Sequence, residues 1–549
     1  MRKIILILIV VSLVFTECRR ATYCWDSGGK VRRSRAKFGG GTGSGSGSGQ
    51  GNGTFSYANE RTKSIKMNAT LSDSDSIQHN TEEYSLIQEN QFLKSIDEPL
   101  STFSIDVDNA SYSNMRRYLN SEQMPPKDAI RLEELINYFD YNYPQPRDGR
   151  PFSVNTELAV CPWNPEHQIV SIALQGKDLV TTNLPPSNLV FLIDVSGSMS
   201  DENKLPLVKD GLKMLTNALG GEDRVALVTY AGDAGVALKS TSCNEKDNII
   251  KAINRLESGG STQGSSGIQK AYEIAKENFI TGGNNRIILC TDGDFNVGTT
   301  SESDLVHLIE EKRKSDIFLT VCGFGEGNYK DNKMEKLADN GNGFYHYLDR
   351  YEEAHKVFVQ GLRSTMFAIA KDVKIQVEFN PLHVESYRLI GYENRVLENQ
   401  DFTNDSIDAG EIGAGHTITA LYEIIPSNGQ NSSSNLKYQQ PELTTAAFQS
   451  GEIMTVSLRY KLPMNDASEL ISRQILLSSL SPKRSDNLTW ACSVAAFGMV
   501  LRDSKFKGTA DLAQIKTWAS SNVITENDKY KKEFLDLIEK TNKILTSSK

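Results

Sequence analysis

From residue 188 onward the chain repeats one pattern: a short apolar, β-branched run, then a polar stretch with apolar residues at helical spacing. The runs are NLVFLID, RVALVTYA, RIILCTD and IFLTVCGFG, and the helical stretches cover 204–218, 247–256, 267–279, 303–314 and 330–338. Runs that are apolar at consecutive positions suit parallel strands covered on both faces. Alternated with helices, they predict an α/β fold with a doubly wound, mostly parallel sheet over 187–368. In open sheets of this kind ligands bind outside the carboxyl ends of the strands. The residues that follow each run are therefore where function is sought.

At 549 residues the chain is too long for one ordinary domain, and the pattern stops on both sides. Residues 86–180 read as a small α+β unit. STFSIDVDNASY (101–112) alternates as a strand, PPKDAIRLEELINYFDY (125–141) as a proline-started helix, and PFSVNTELAVCPWN and HQIVSIALQG as two more strands. Residues 369–549 read as β-rich and then helical. KIQVEFN, ESYRLIGY, HTITALYEII and EIMTVSLRY are strand-like, and helices follow from 485. The apolar stretch ACSVAAFGMVL (491–501) is too short to span a bilayer and is expected as a buried core helix. The aromatic stretch YFDYNYP (138–144) is likewise expected in packing.

The first residues carry targeting signals. Arg2 and Lys3 precede an apolar stretch over 4–15, the makings of a signal sequence over 1–17. Cys18 stands where a bacterial lipoprotein carries its lipidated cysteine, yet Glu17 before it is a poor fit. Lipidation, simple cleavage and an uncleaved anchor all stay open. Residues 18–85 form a basic leader and a Gly/Ser-rich tether, GGGTGSGSGSGQGNG at 39–53. The design reads as anchor, leash and folded body, exported to a bacterial cell envelope with the body outside the cytoplasm. A net charge of -9 disfavours nucleic acid as the main partner. Cys290 and Cys322 lie within apolar runs and are expected as buried thiols.

The first run ends in FLIDVSGSMS (191–200), with Asp194, Ser196 and Ser198 at alternate positions. GGSTQGSSG (259–267) carries Thr262 before a helix, and TDGDFN (291–296) carries Asp292 after a strand. In the predicted fold these loops open at one sheet edge with two carboxylates and three hydroxyls. Hard oxygen donors suit Mg²⁺, or another divalent cation such as Mn²⁺ or Ca²⁺, and the lack of Cys and His argues against zinc. Other readings fare worse. A polar turn capping the next helix would explain DVSGSMS but not Thr262 and Asp292. A nucleophilic Ser196 lacks the Gly-x-Ser-x-Gly elbow and a placed histidine, so no catalysis is expected. DGDFNVG (292–298) imitates a calcium loop, but Ser303 stands where that loop needs Glu. GEIGAG (410–415) is a turn, and His416 beside it a structural residue.

Asp-x-Ser-x-Ser after a strand, a distant Thr and then Asp in Thr-Asp-Gly resemble the metal-ion-dependent adhesion site of von Willebrand factor type A domains. The resemblance implies that Ser196 and Ser198 coordinate the ion directly, and Thr262 directly or through water. Asp194 and Asp292 would hold coordinating waters or bind the metal, and a carboxylate of the partner would complete the sphere. STFSIDVDNASYSNMRRYL, CPWNPEHQIVSIALQGK and YRLIGYENR resemble the bacterial YfbK-like subfamily of such proteins. The expectation is a non-catalytic, membrane-anchored module that captures an Asp- or Glu-type carboxylate of a protein or other ligand. The alternative is a structural scaffold of an envelope complex, with the metal site serving folding. The family also implies that the last helix of the domain, about 350–370, moves on binding.

Overall fold

The computed structural model describes residues 82–547, apart from 106–107, 180–183, 232, 260–264, 294–301, 328, 362–365, 430–436, 439–441, 464, 466 and 524–527. The leader, tether and Cys18 thus lie outside the described residues. The run that opens the repeating pattern is strand β1 (Ser187–Asp194). Its side chains alternate between two cores: Val190 and Leu192 pack on one face of the sheet, Leu189, Phe191 and Ile193 on the other. A strand apolar at consecutive positions can be buried only this way.

The chain then runs α1 (Leu205–Ala218), β2 (Arg224–Ala231), β3 (Asp233–Ser242), α2 (Lys246–Asn254) and α3 (Ser265–Glu277). It continues as β4 (Asn284–Thr291), α4 (Glu302–Arg313), β5 (Phe318–Phe324), α5 (Asp331–Asn340) and β6 (Tyr345–Leu348). The sheet order is β6-β5-β4-β1-β2-β3, parallel except for the β2–β3 hairpin at one edge. The two short or polar edge strands, β3 and β6, carry no run of the kind that marks the central four. The doubly wound α/β fold is as expected. Cys290 and Cys322 are register neighbours on β4 and β5 and fully buried, and burial pushes both thiols up.

The flanking stretches do not stay apart. One sheet takes strands from both, in the order Leu93–Lys94, Val384–Ile390, Thr417–Pro426, Gln168–Gly176, Phe152–Val160 and Leu480–Ser481. In a second sheet Leu100–Ser104 pairs antiparallel with Ala368–Phe379, which also pairs with Glu452–Lys461. The inner faces of these two sheets share one core that includes Phe103, Ile172, Val377, Tyr422 and Val456. Register explains why part of 101–112 leaves the expected strand. Pairing ends at Ser104, and Ala110–Asn120 turns into a helix packed with Asp486–Arg502 and Lys529–Ser547 in a separate helical core. The helix Asp486–Arg502 is buried nearly all round, and Tyr138, Phe139 and Tyr141 join the same core. No described helix is long and apolar enough to cross a membrane.

The last helix of the α/β domain changes character within its expected span, of which 362–365 lie outside the described residues. It spans Tyr351–His355, continues as a π-helical turn over Lys356–Gln360, and the chain is already a strand from Ala368. At 368–370 pairing with Gly410–Gly413 outweighs helical propensity.

Burial in the helical core has a pH consequence. Glu133 is 2% exposed, and its carboxyl is pushed up from 4.5 to about 7 by burial, with Glu393 and Glu134 adding to the effect. A carboxyl raised on folding contributes stability below its ordinary value and loses it as pH rises through the raised one. Glu133→Gln, which can still accept from the Tyr392 N–H at 2.9 Å, is therefore expected to be close to neutral at about pH 5. It should gain on the native protein as pH rises to about 8. Thermal unfolding across that range checks this; a difference that stays flat with pH would show that Glu133 does not titrate there.

Candidate functional site

Asp194 ends β1 with its carboxyl fully buried, and its Cα partner on β2 is Tyr230. The next residues turn: Ser196 accepts at its carbonyl from the Met199 N–H at 3.1 Å, and Gly197–Ser200 form a 3-10 turn. Met199 is buried and anchors the turn, while Ser198 is exposed. Apolar anchoring of one residue thus leaves the hydroxyls of Ser196 and Ser198 on the same side, 2.9 Å apart. That spacing is an ordinary hydrogen bond. It is also the edge, about 2.9 Å, between neighbouring ligands of an octahedral ion with bonds of about 2.0–2.1 Å.

The acids are held from two strands. Asp194 Oδ1 accepts from the Ser196 N–H at 2.8 Å. Oδ2 is buried and accepts no hydrogen bond of ordinary geometry, although the Tyr230 hydroxyl is near enough to favour the charged form. Burial pushes this carboxyl up to about 6; the Ser196 hydrogen bonds oppose the rise and the nearby Asp292 carboxylate adds to it. Asp292 lies just beyond β4, fully buried. Gly293 follows at φ +95°, where a Cβ would come 2.7 Å from the Lys330 nitrogen. Thr291 Oγ1 accepts from the Gly293 N–H at 3.2 Å and fixes this turn.

Thr262 lies outside the described residues. The stretch that leads to it is tied to the site, since the Gly259 N–H donates to the Val195 carbonyl at 2.7 Å. Asp194, Ser196, Ser198 and Asp292 are brought together at the carboxyl ends of β1 and β4. Two residues at the site carried no motif in the sequence. Tyr230 faces Asp194, and Lys204 donates from its ammonium to Asp292 Oδ2 at 3.1 Å. The sequence places Lys204 at the start of the predicted helix 204–218, with nothing that ties it to Asp292.

Do these residues suit a divalent cation? Among the described residues no group of three or more His, Cys, Asp or Glu converges on a metal site. The cluster here has two carboxylates and depends otherwise on hydroxyls. Its donors are all hard oxygens, one buried carboxylate oxygen lacks a partner, and the paired hydroxyls have octahedral spacing. The donor set fits Mg²⁺. A cavity of about 900 Å³ opens elsewhere, at the far end of β1, where Ser187, His346, Lys356 and His416 line it. His416 is half-buried there, with its Nδ1 buried and without a hydrogen-bond partner.

Three family models match the chain: "von Willebrand factor" over 78–171, "von Willebrand factor type A domain" over 188–360 and "Uncharacterized protein YfbK, C-terminal" over 364–544. The chain is 39% identical over 467 residues to uncharacterized protein YfbK of Escherichia coli K12, covering 84% of this chain and 81% of that protein. It is 31% identical over 171 residues to inter alpha-trypsin inhibitor, heavy chain 4, of mouse, covering 29% of this chain and 18% of the mouse protein. A solved von Willebrand factor type A protein of Catenulispora acidiphila aligns with a TM-score of 0.39 and 16% identity, covering 68% of this chain and 87% of that one.

Proposed function

The chain belongs to the YfbK-like family of von Willebrand factor type A domain proteins, and from that premise we propose that it is a non-catalytic binding module working through a divalent cation. A domain of this family points to binding or adhesion. The finer reading is that Asp194, Ser196, Ser198, Thr262 and Asp292 hold Mg²⁺ or a similar ion with one coordination position left open. A carboxylate of the partner takes that position. The observation that carries this reading is the buried, unpartnered Asp194 Oδ2 beside a hydroxyl pair at octahedral spacing. When bound, the ion supplies positive charge that the carboxylate of the partner meets. The chain's own part is to fix the oxygens, through the Ser196 N–H bond to Asp194, the Met199 anchor and the Gly293 turn.

On the same reading the protein is exported and tethered in a cell envelope, through the apolar stretch 4–15 and Cys18. The test is a crosslinking pull-down from native envelopes, with Mg²⁺ and with chelator, comparing the native protein with Asp292→Ala. A partner recovered only by the native protein in Mg²⁺ is expected. Equal recovery in all four arms would refute a metal-dependent site. A scaffold is the second reading, favoured by the shared sheets that lock both flanking stretches together.

A further inference from the structure

Lys204 is the one cation seated among the described residues of the site. Its side chain is 6% exposed, with the ammonium 3.1 Å from Asp292 Oδ2 and 3.8 Å from Asp201 Oδ2. The stem is confined as well as the head. Gly325, at φ +77° just past β5, lies so close that a Cβ there would overlap Lys204 Cε and come within 2.8 Å of Cγ and 2.9 Å of Cδ. The backbone around Gly325 is held in turn by Tyr347, whose hydroxyl donates to the Gly325 carbonyl at 2.6 Å. Lys204 also directly precedes α1, where the helix end carries partial positive charge and disfavours a cation. A lysine kept there, buried and against the dipole, draws its compensation from Asp292.

We propose that Lys204 is a built-in counter-cation that sets the affinity of this site for divalent metal. The inference rests on the metal reading given above. Asp194 and Asp292 together carry two negative charges, enough to neutralise a divalent ion. With Lys204 fixed beside Asp292, the loaded site keeps a net positive charge. The lysine therefore weakens metal binding through like-charge repulsion and leaves more positive charge for an incoming carboxylate. Before metal arrives it holds the buried Asp292 carboxylate in place. The stem packs on Gly325, so withdrawal of the ammonium when the ion enters would give up that contact.

The test is calorimetric titration of the full chain with Mg²⁺ alone, comparing the native protein with Lys204→Met and Lys204→Arg. Methionine follows the same unbranched path past Gly325 without charge. Lys204→Met is expected to bind Mg²⁺ about tenfold more tightly or better, since a repulsive charge a few ångströms away is removed. Lys204→Arg, which keeps the charge, should stay near the native affinity. In chelator Lys204→Met should melt lower than the native protein, and added Mg²⁺ should raise its Tm by the larger amount. A gain in affinity cannot come from damage to the fold. If Lys204→Met does not fold, Lys204→Gln carries the same comparison. Equal or weaker binding by the uncharged variant overturns the role of Lys204. Absence of Mg²⁺ binding in both proteins overturns the metal reading itself.

Discussion

Replacing Arg116 with methionine is expected to destabilise the fold by about 3–5 kcal/mol, the range for breaking a buried ion pair by removing one partner. Arg116 is fully buried on the helix Ala110–Asn120. Its Nε donates to Asp349 Oδ2 at 2.9 Å, and Nη2 donates to Asp349 Oδ1 and, at 2.9 Å, to Glu353 Oε2. Nη1 donates to the Tyr138 hydroxyl at 2.8 Å and lies 3.5 Å from Glu533 Oε2. One guanidinium thus joins the N-terminal stretch, the last helix of the α/β domain and the C-terminal helix Lys529–Ser547. Burial pushes the Asp349 and Glu353 carboxyls up, and Arg116 pulls both back; for Glu353, with help from Lys356, the pull wins. Without Arg116 those carboxylates stay buried and lose most of their compensation, Glu353 keeping only Lys356 and the Tyr138 hydroxyl. Denaturant unfolding of Arg116→Met measures the loss, and adding Asp349→Asn and Glu353→Gln should recover part of it. A loss below about 1 kcal/mol would place the cluster with solvent-exposed ion pairs.

The second large effect is expected at the metal site. Ser196→Ala with Ser198→Ala should lower Mg²⁺ affinity by more than ~100-fold, since even residues that only orient metal ligands are worth about 10–100-fold. Stability in chelator should change by about 1 kcal/mol, because the hydroxyls bond to each other and, from Ser196, to Asp194, while the Ser196 N–H bond to Asp194 is kept. Circular dichroism and the Mg²⁺-induced shift in Tm read the two quantities separately. An unchanged Mg²⁺ shift would remove both serines from the site. A folded double variant that has lost Mg²⁺ but still captures the partner would favour the scaffold over metal-dependent adhesion.

How much of this was legible beforehand depends on whether the signal was local. The central strands announce themselves because burial on both faces demands apolar residues at consecutive positions, as at 189–193. The edge strands β3 and β6 escape, because an edge has fewer neighbours and imposes no such run. Asp194, Ser196 and Ser198 share one turn, so their spacing reads directly from the chain. Asp292 is legible as the residue after the strand that pairs with β1, an inference that needs only the order of the pattern. Lys204 was not legible as part of the site. Its link to Asp292 crosses the sheet edge, and its path is set by Gly325, a residue distant from both in the chain.

By itself, then, the sequence determined the doubly wound domain and the turn of hydroxyls and acid at its first strand. Both follow from periodicity and from what a strand end does with polar residues. Only the tertiary structure decided how the flanks join. Strand pairing between residues hundreds of positions apart, as in Leu421 with Ser171, leaves no periodic trace that names its partner. It also decided which charges meet. Arg116 and Lys204 look like ordinary surface cations in the chain. They become buried counter-ions only because packing removes water from the carboxylates beside them.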